Sequence, residues 1–434
     1  MNRFEEAYQS KLRTPEELAA AIQPGWLCAT GAALSEPQAL TRALGERARR
    51  ENLRGVTHSQ LLSCYPSPFF QEDLRGKYSA VSWYTAGAGR MSAQQGRTEI
   101  MPAYYRDVPS LWRQYLEPDV FYCTVSPMDR HGWFSFGCTG SEVEALLEKA
   151  RLVYLEVNPN MPRTFGSQHI HISRVDGLCE CGLPLAEAPP APIDGASRVI
   201  GGYIADCVRD GSTIQLGIGA IPDAVGQALC AKRNLGIHTE LFTESMVDLI
   251  ECGAVTNWNK PIHKGKSVTT FAQGTRRMYD FLDDNPGVEF HSVDHTNDPA
   301  VIASHPDFVS VNACVEVDFY GQVCAESIGP LHYSGTGGQV DFVRGAVQSR
   351  GGQSFIACTS TGKNGTISKI KPTLKEGAIV TTSKNDVDCI VTEYGIAKLR
   401  GRTVSQRAKA LIFIAHPKFR DELRFEAKKR NIIL

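Results

Sequence analysis

The sequence predicts an α/β protein made of two similar open α/β domains related by an internal duplication. Three observations predict it: a motif that recurs across the two halves, largely apolar strand-like runs alternating with helical ones, and a proline-rich break between them.

The recurrence is specific in order and spacing. Ile22-Gln23-Pro24-Gly25-Trp26-Leu27-Cys28-Ala29-Thr30-Gly31 is followed by Pro37, Leu40 and Leu44. Val208-Arg209-Asp210-Gly211 leads in the same way to Gly217, Pro222, Val225 and Leu229. A second pair runs from Pro118-Asp119-Val120 through Val125 and Asp129 to Gly132, and from Pro306-Asp307-Phe308 through Val311 and Asp318 to Gly321. The offsets of 185 to 189 residues are far too long for a solenoid and imply a duplicated unit. A length of 434 residues fits two domains of about 200 each.

Taken in chain order, Val120–Val125 and Leu152–Val157 read as strands buried on both faces of a parallel sheet. Glu187-Ala188-Pro189-Pro190-Ala191-Pro192-Ile193-Asp194-Gly195 cannot continue a helix and has few backbone donors, so it reads as a linker. The expected division is therefore a first domain over 1–186, a linker over 187–196 and a second domain over 197–434. Ser197 to Asp210 has helical spacing. Strands are expected at Phe308–Val311, Ser354–Ala357 and Ala378–Thr381, and a helix over Asp421 to Lys429.

Composition is ordinary for a soluble enzyme. Apolar residues make up 42% and charged residues 21%, enough for a large core, and a net charge of −1 gives no electrostatic case for nucleic acid or an anionic membrane. The first residues, Met1-Asn2-Arg3-Phe4-Glu5-Glu6-Ala7, carry acids where a signal peptide needs an apolar run, and no stretch of about 18 consecutive apolar residues occurs. A cytoplasmic chain is expected, in keeping with 13 scattered cysteines and no disulfide framework. Cys179-Glu180-Cys181 lacks the second pair that a zinc site needs, so no metal is expected.

Two glycine clusters carry the chemistry. Asp210 to Val225 reads as a short buried strand, a glycine loop and a helix start, followed by Leu235-Gly236-Ile237-His238-Thr239-Glu240. Gly217 and Gly219 let the backbone approach a ligand without a Cβ in the way, and the loop amides can hold an anion or an oxyanion. Ser334 to Ala346 has four glycines in a run ending in an amphipathic stretch, again permitting close backbone approach to a bulky ligand.

These residues resemble a known family. Gln215-Leu216-Gly217-Ile218-Gly219-Ala220-Ile221-Pro222-Asp223-Ala224-Val225, Gly236-Ile237-His238-Thr239-Glu240, Gly337-Gly338-Gln339-Val340-Asp341-Phe342-Val343-Arg344-Gly345 and Val391-Thr392-Glu393-Tyr394-Gly395-Ile396-Ala397 are similar to motifs of the acetyl-CoA hydrolase and transferase family. Within it the 4-hydroxybutyrate and butyrate CoA-transferases are most alike. The likeness includes Asp107-Val108-Pro109-Ser110-Leu111 and Ala415-His416-Pro417.

The resemblance implies a family I CoA-transferase in which Glu240 becomes covalently attached to CoA. It implies CoA lying along Gly217, Ile218, Gly219, Ala220 and Ile221, with further contacts near Gly338 and Lys369. No tightly bound cofactor is expected; coenzyme A thioesters (acetyl-, butyryl- or succinyl-CoA) and a small carboxylic acid of the 4-hydroxybutyrate, butyrate or itaconate type are the expected substrates. A homo-oligomer is expected for a metabolic enzyme of this size. Gly87-Ala88-Gly89-Arg90 and Gln94-Gln95-Gly96-Arg97 pair glycine with arginine as a carboxylate site would, and are candidates for the acceptor side.

Plainer readings stand beside these. His238 reads as a structural histidine, because a carboxylate nucleophile needs no general base. His169 and His171 alternate as in a plain strand. Glu393-Tyr394-Gly395 reads as a strand-to-helix turn. After Glu240 the chain has Leu241-Phe242-Thr243-Glu244-Ser245-Met246-Val247-Asp248 where the transferases commonly carry a Ser-Asp-Gly-type turn, which leaves acceptor preference open. The alternatives are an acyl-CoA hydrolase using the same glutamate, a noncatalytic CoA sensor, and a sugar-phosphate isomerase on a related scaffold.

Overall fold

The computed structural model describes residues 3–51 and 53–433. They form two compact units, Met1–Ala188 with Val268–Thr296, and Pro189–Ser267 with Asn297–Leu434. The chain thus passes between units three times, whereas the sequence suggests one crossing at 187–196. The first crossing does fall inside that proline-rich segment. The segment after Val268 returns to the first unit because its backbone is paired there: Val288–Phe290 lies parallel to Phe165–Gly166, and Ala272 N–H donates to the Cys138 carbonyl at 2.9 Å.

In the first unit seven parallel strands, β1 (Leu27–Ala29), β2 (Val56–Gln60), β3 (Tyr78–Ser82), β4 (Thr98–Ile100), β5 (Val120–Val125), β6 (Leu152–Val157) and β7 (Gly177–Glu180), lie in the order β7-β6-β5-β1-β2-β3-β4. β5 is buried at every position, as its uniformly apolar sequence requires when both faces are covered. Helix α1 (Gln38–Arg50) follows β1. Pro37 offers it no capping side chain, and the buried Glu156 of β6 accepts the Gln38, Ala39 and Leu40 amides instead, at 2.9, 2.8 and 3.1 Å. Leu40 and Leu44 then pack with Phe69, Tyr78 and Tyr122 in this unit's core.

In the second unit helices α2 (Gly195–Cys207) and α3 (Ala220–Leu229) flank β8 (Thr213–Leu216). The other strands are β9 (Gly236–Ile237), β10 (Val309–Ala313), β11 (Gln353–Ala357), β12 (Cys389–Thr392) and β13 (Gly395–Lys398). The order is β9-β8-β10-β11-β12-β13, parallel except for β13. Asp194 starts α2 by accepting the Ser197 amide at 2.7 Å, and Gly201 lets the α3 backbone approach so closely that a Cβ there would lie 2.8 Å from the Ala224 carbonyl carbon. Val317, Phe319, Val343, Ile356, Ile390 and Leu411 form this unit's main core.

The duplication is visible strand by strand. β1 stands between β5 and β2 as β8 stands between β10 and β9, and β6 flanks β5 as β11 flanks β10. Each unit therefore has a topological switch point beside the strand that opens the repeat, where α/β sheets bind ligands at their carboxyl edge. The two edges differ. The loop after β1, Thr30 to Pro37, is buried throughout, whereas the loop after β8 leaves Ile218 59% exposed.

Two local expectations are corrected. Ala378–Thr381 is not a strand: it follows a turn at Glu376-Gly377, Val380 is exposed, and the strand that continues the sheet is β12. Glu393-Tyr394-Gly395 turns not into a helix but into β13, an antiparallel hairpin in which Thr392 pairs with Gly395. Among the described residues no helix is long and apolar enough to cross a membrane.

Candidate active site

The parallel strands of the second unit deliver their loops to one edge. β8 ends at Leu216, and Gly217 continues the ladder by donating its N–H to the Val311 carbonyl at 2.8 Å. Gly219 has φ 107° and ψ 177°, a region essentially reserved for glycine, and caps the start of α3. Gly217, Ile218, Gly219, Ala220 and Ile221 thus form a bare turn at the switch point between β8 and β10. Below it Gln215 and Asn312 exchange side-chain hydrogen bonds at 3.3 and 3.1 Å, fixing the two strands at that point.

β9 leads to Glu240. As the edge strand it lacks a neighbour on one side, and side chains serve instead. Ile237 donates its N–H to Asn257 Oδ1 at 2.8 Å, and the buried Lys260 donates from Nζ to the Ile237 carbonyl at 2.8 Å. His238 is fully buried, its ring 4.9 Å from that of His305 and 6.3 Å from that of Phe308, which matches a structural histidine. The strand thus enters position 240 on a fixed path.

The Glu240 side chain is half-buried, with its carboxyl group packed among protein atoms. Asn297 Nδ2 donates to Glu240 Oε2 at 2.7 Å and lies 3.4 Å from Asp341 Oδ2. The Gly338 amide also donates to the Glu240 carboxylate. Gly338 caps helix α4 (Gln339–Gln348), so the carboxylate sits at a helix N-terminus, where the dipole favours negative charge. A Cβ at 338 would fall 1.8 Å from Glu240 Oε2 and 2.2 Å from Asn297 Nδ2, so only glycine permits this approach. The helix start is itself anchored, since Gln339 Nε2 donates to the Ala313 carbonyl at 2.8 Å.

Burial pushes the Glu240 carboxyl up to about 7, while the Asn297 and Gly338 donors pull it down. Near neutrality the group therefore exists in both forms. The anionic form is a carboxylate held by the Asn297 and Gly338 donors at a helix start, a group able to act as a nucleophile.

The sequence-derived residues do not all touch. Glu240 and Gly338 meet directly. The turn from Gly217 to Ile221 lies on the adjacent strand at the same edge. Lys369 stands further along it: its Nζ donates to Thr359 Oγ1 at 3.0 Å, and Thr359 follows β11, three strands or about 14 Å from β9 by strand spacing. Glu244 and Ser245 are buried in the first turn of the helix Glu244–Glu251, with Ser245 packed where Gly226 of α3 leaves room. In the first unit the Arg97 guanidinium is engaged by the Phe70 carbonyl at 2.6 Å and by Glu72 at 3.4 Å. His169 and His171 sit on a strand with their rings bonded to the Thr164 carbonyl and to Ser173.

Sequence reasoning missed Asn297, Asn257 and Lys260. Asn297 lies in His295-Thr296-Asn297-Asp298-Pro299, a run that reads as a turn before a helix, and Asp298 does cap the helix Pro299–Ala303. Its neighbour's ordinary role hides it.

The sequence matches the acetyl-CoA hydrolase/transferase N-terminal domain over residues 1–181 and the acetyl-CoA hydrolase/transferase C-terminal domain over residues 274–427. It is 48% identical over 430 residues to a succinyl-CoA:cyclohexane-1-carboxylate CoA transferase of Geobacter metallireducens, covering 99% of this chain and 98% of that one. It is 42% identical over 428 residues to a 4-hydroxybutyrate coenzyme A transferase of Clostridium kluyveri, covering 98% and 99%. The crystal structure of RipA from Yersinia pestis superposes with a TM-score of 0.95 at 37% identity, covering 100% of both chains. The chain belongs to the acetyl-CoA hydrolase/transferase family and is a CoA-transferase.

Proposed function

We propose that this enzyme moves CoA from an acyl-CoA donor to a small free carboxylic acid through a thioester on Glu240. The observation that carries the reading is the carboxylate held between Asn297 Nδ2 and the Gly338 amide at the start of α4. Its γ-carboxylate attacks the acyl-CoA carbonyl, forming a mixed anhydride and expelling CoA thiolate. The thiolate attacks the glutamyl carbonyl, releasing the donor acid and leaving glutamyl-CoA. An acceptor carboxylate attacks that thioester carbonyl, again giving an anhydride and thiolate. Thiolate attack on the acceptor carbonyl then yields the new acyl-CoA and restores the Glu240 carboxylate.

Each step builds negative charge on an oxygen. The amides from Ile218 to Ala220 are the proposed donors to it, the Gly217 N–H being already given to the Val311 carbonyl, and in such a role one lost hydrogen bond typically costs about 3 kcal/mol. Gly217, Ile218, Gly219, Ala220 and Ile221 are the proposed CoA track, continued by Gly338 and Lys369. The donors proposed are acetyl-, butyryl- or succinyl-CoA. The acceptors proposed are acids of the 4-hydroxybutyrate, butyrate or itaconate type, and the cyclohexane-1-carboxylate of the Geobacter metallireducens relative's name adds an alicyclic acid to be tried.

Mass spectrometry after incubation with an acyl-CoA and no acceptor tests the mechanism. A CoA-sized adduct on the peptide containing Glu240, cleared by adding a carboxylic acid, supports transfer and ranks the acceptors. Steady release of free CoA with no adduct assigns the glutamate to hydrolysis instead.

A further inference from the structure

We infer that Cys314 and Cys358 form an oxidisable dithiol, a modification site at the carboxyl edge of the second unit's sheet that takes a hydroperoxide as its oxidant. The placement follows from register. β10 and β11 are parallel, with Ala313 opposite Ala357, and the Cys314 N–H donates to the Ala357 carbonyl at 3.2 Å. The next pair in register is Cys314 and Cys358. Paired residues of parallel strands point to the same face, and neighbouring strands lie about 4.8 Å apart. A disulfide spans Cα atoms about 4.4 to 6.8 Å apart, so the bridge needs no rearrangement of the sheet.

The two thiols also act on one another, Cys314 in the donor role toward Cys358. That donor holds the Cys358 thiol below the ordinary range against the opposing effect of burial. The Lys369 ammonium helps, and the Glu393 carboxylate works against it. The hydrogen bond shared with Cys358, together with burial, pushes Cys314 up. One member is thus biased toward thiolate and the other retains the proton, the division of roles that a nucleophilic and a resolving cysteine need. Cys314 is only partly buried, which gives a molecule as small as a hydroperoxide a way in, whereas burial pushes up the thiols of the interior Cys28, Cys123, Cys138 and Cys179.

The chemistry balances with a hydroperoxide. The Cys358 thiolate attacks the peroxide oxygen, breaking the O–O bond to give Cys358 sulfenic acid and hydroxide or alkoxide. Cys314 sulfur then attacks the Cys358 sulfur, forming the S–S bond and expelling the sulfenyl oxygen as water, with the Cys314 proton completing it. The dithiol loses two electrons and two protons, and the peroxide is reduced. Oxidation also removes the thiolate form of Cys358 that the Lys369 ammonium favours, while Lys369 Nζ still donates to the Thr359 hydroxyl.

Hydrogen peroxide treatment of the whole protein, followed by alkylation and non-reducing peptide mapping, tests this. The expected result is a linked peptide pair holding Cys314 and Cys358, lighter by two hydrogens and released by dithiothreitol. In Cys314→Ser the sulfenic acid at Cys358 should persist and be trapped by dimedone. A second close pair, Cys230 and Cys252, is the internal competitor, with Cys252 exposed. Linkage of Cys230 to Cys252 alone, or Cys358 still fully alkylatable after Cys252 has been oxidised, would overturn the assignment. The wild-type map needs no variant to fold.

Discussion

Asn297 Nδ2 stands 2.7 Å from Glu240 Oε2 and 3.4 Å from Asp341 Oδ2, so one amide group faces two carboxylates. It faces both carboxyl groups as a donor, and it fixes where the Glu240 oxygen points. The charge state of Glu240 should therefore be readable in the enzyme's kinetics.

The proposed transfer route uses the Glu240 carboxylate, which burial lifts to about 7. The rate of adduct formation should rise with pH through that region and level off above it. In Asn297→Ala the lost donor destabilises the anion, and the rise should move to higher pH by about one unit or more. An unmoved profile in that variant would separate Asn297 from the charge state of Glu240.

Glu240→Gln removes the proposed nucleophile and leaves the shape of the side chain. Exchange should fall to background while CoA still binds, as isothermal titration would show. Retained exchange would take Glu240 out of the mechanism.

Gly338→Ala places a methyl group where Glu240 Oε2 now lies. The carboxylate must swing away from its two donors, and kcat should fall by about two orders of magnitude, with overall folding preserved by circular dichroism. Near-normal kcat would mean that the observed carboxylate position is not the reactive one.

Gly219→Ala carries a different cost, because φ 107° is open to glycine and strained for alanine by about 1 to 3 kcal/mol. The turn should relax to another shape, and KM for the acyl-CoA should rise more than kcat falls. Equal effects on both, or none, would detach this turn from CoA binding.

Glu142 in the first unit gives a stability test away from the site. Burial lifts its carboxyl from 4.5 to about 7 in the folded protein, and Glu36 behaves likewise. Between those values the native state holds more protons than the unfolded one, so stability is fully present below about 4.5 and declines as pH rises through about 7. Glu142→Gln should make Tm less sensitive between about pH 5 and pH 8 than in the wild type. Equal slopes would count against the raised value.

Much of this was legible in the chain. Val120–Val125 and Leu152–Val157 appear as strands with those bounds, because six consecutive mostly apolar residues buried on both sides leave no alternative face. The repeat was legible because it preserves spacing as well as residue type. Ala378–Thr381 misled because four apolar-leaning residues do not determine a strand without a continuous ladder, and the pairing with Val323 begins only at Thr381. Glu240 and Gly338 were each visible through their motifs, yet nothing in one dimension says that they touch across almost a hundred residues. Asn297 was hidden for the same reason: its meaning lies in what it faces, while its local sequence speaks only of a turn.

The two switch-point loops answer to different rules under mutation. Thr30 to Pro37 is buried at every position, so a randomised library there should be filtered by volume, and swaps that conserve size should survive. Gly217 to Ile221 has one side chain largely in solvent and one glycine conformation no other residue adopts cheaply, so a library there should be filtered by backbone shape, with Ile218 free to vary and Gly219 fixed. Two descendants of one ancestral segment would then show opposite patterns of tolerance: one sensitive to bulk, the other to chain geometry.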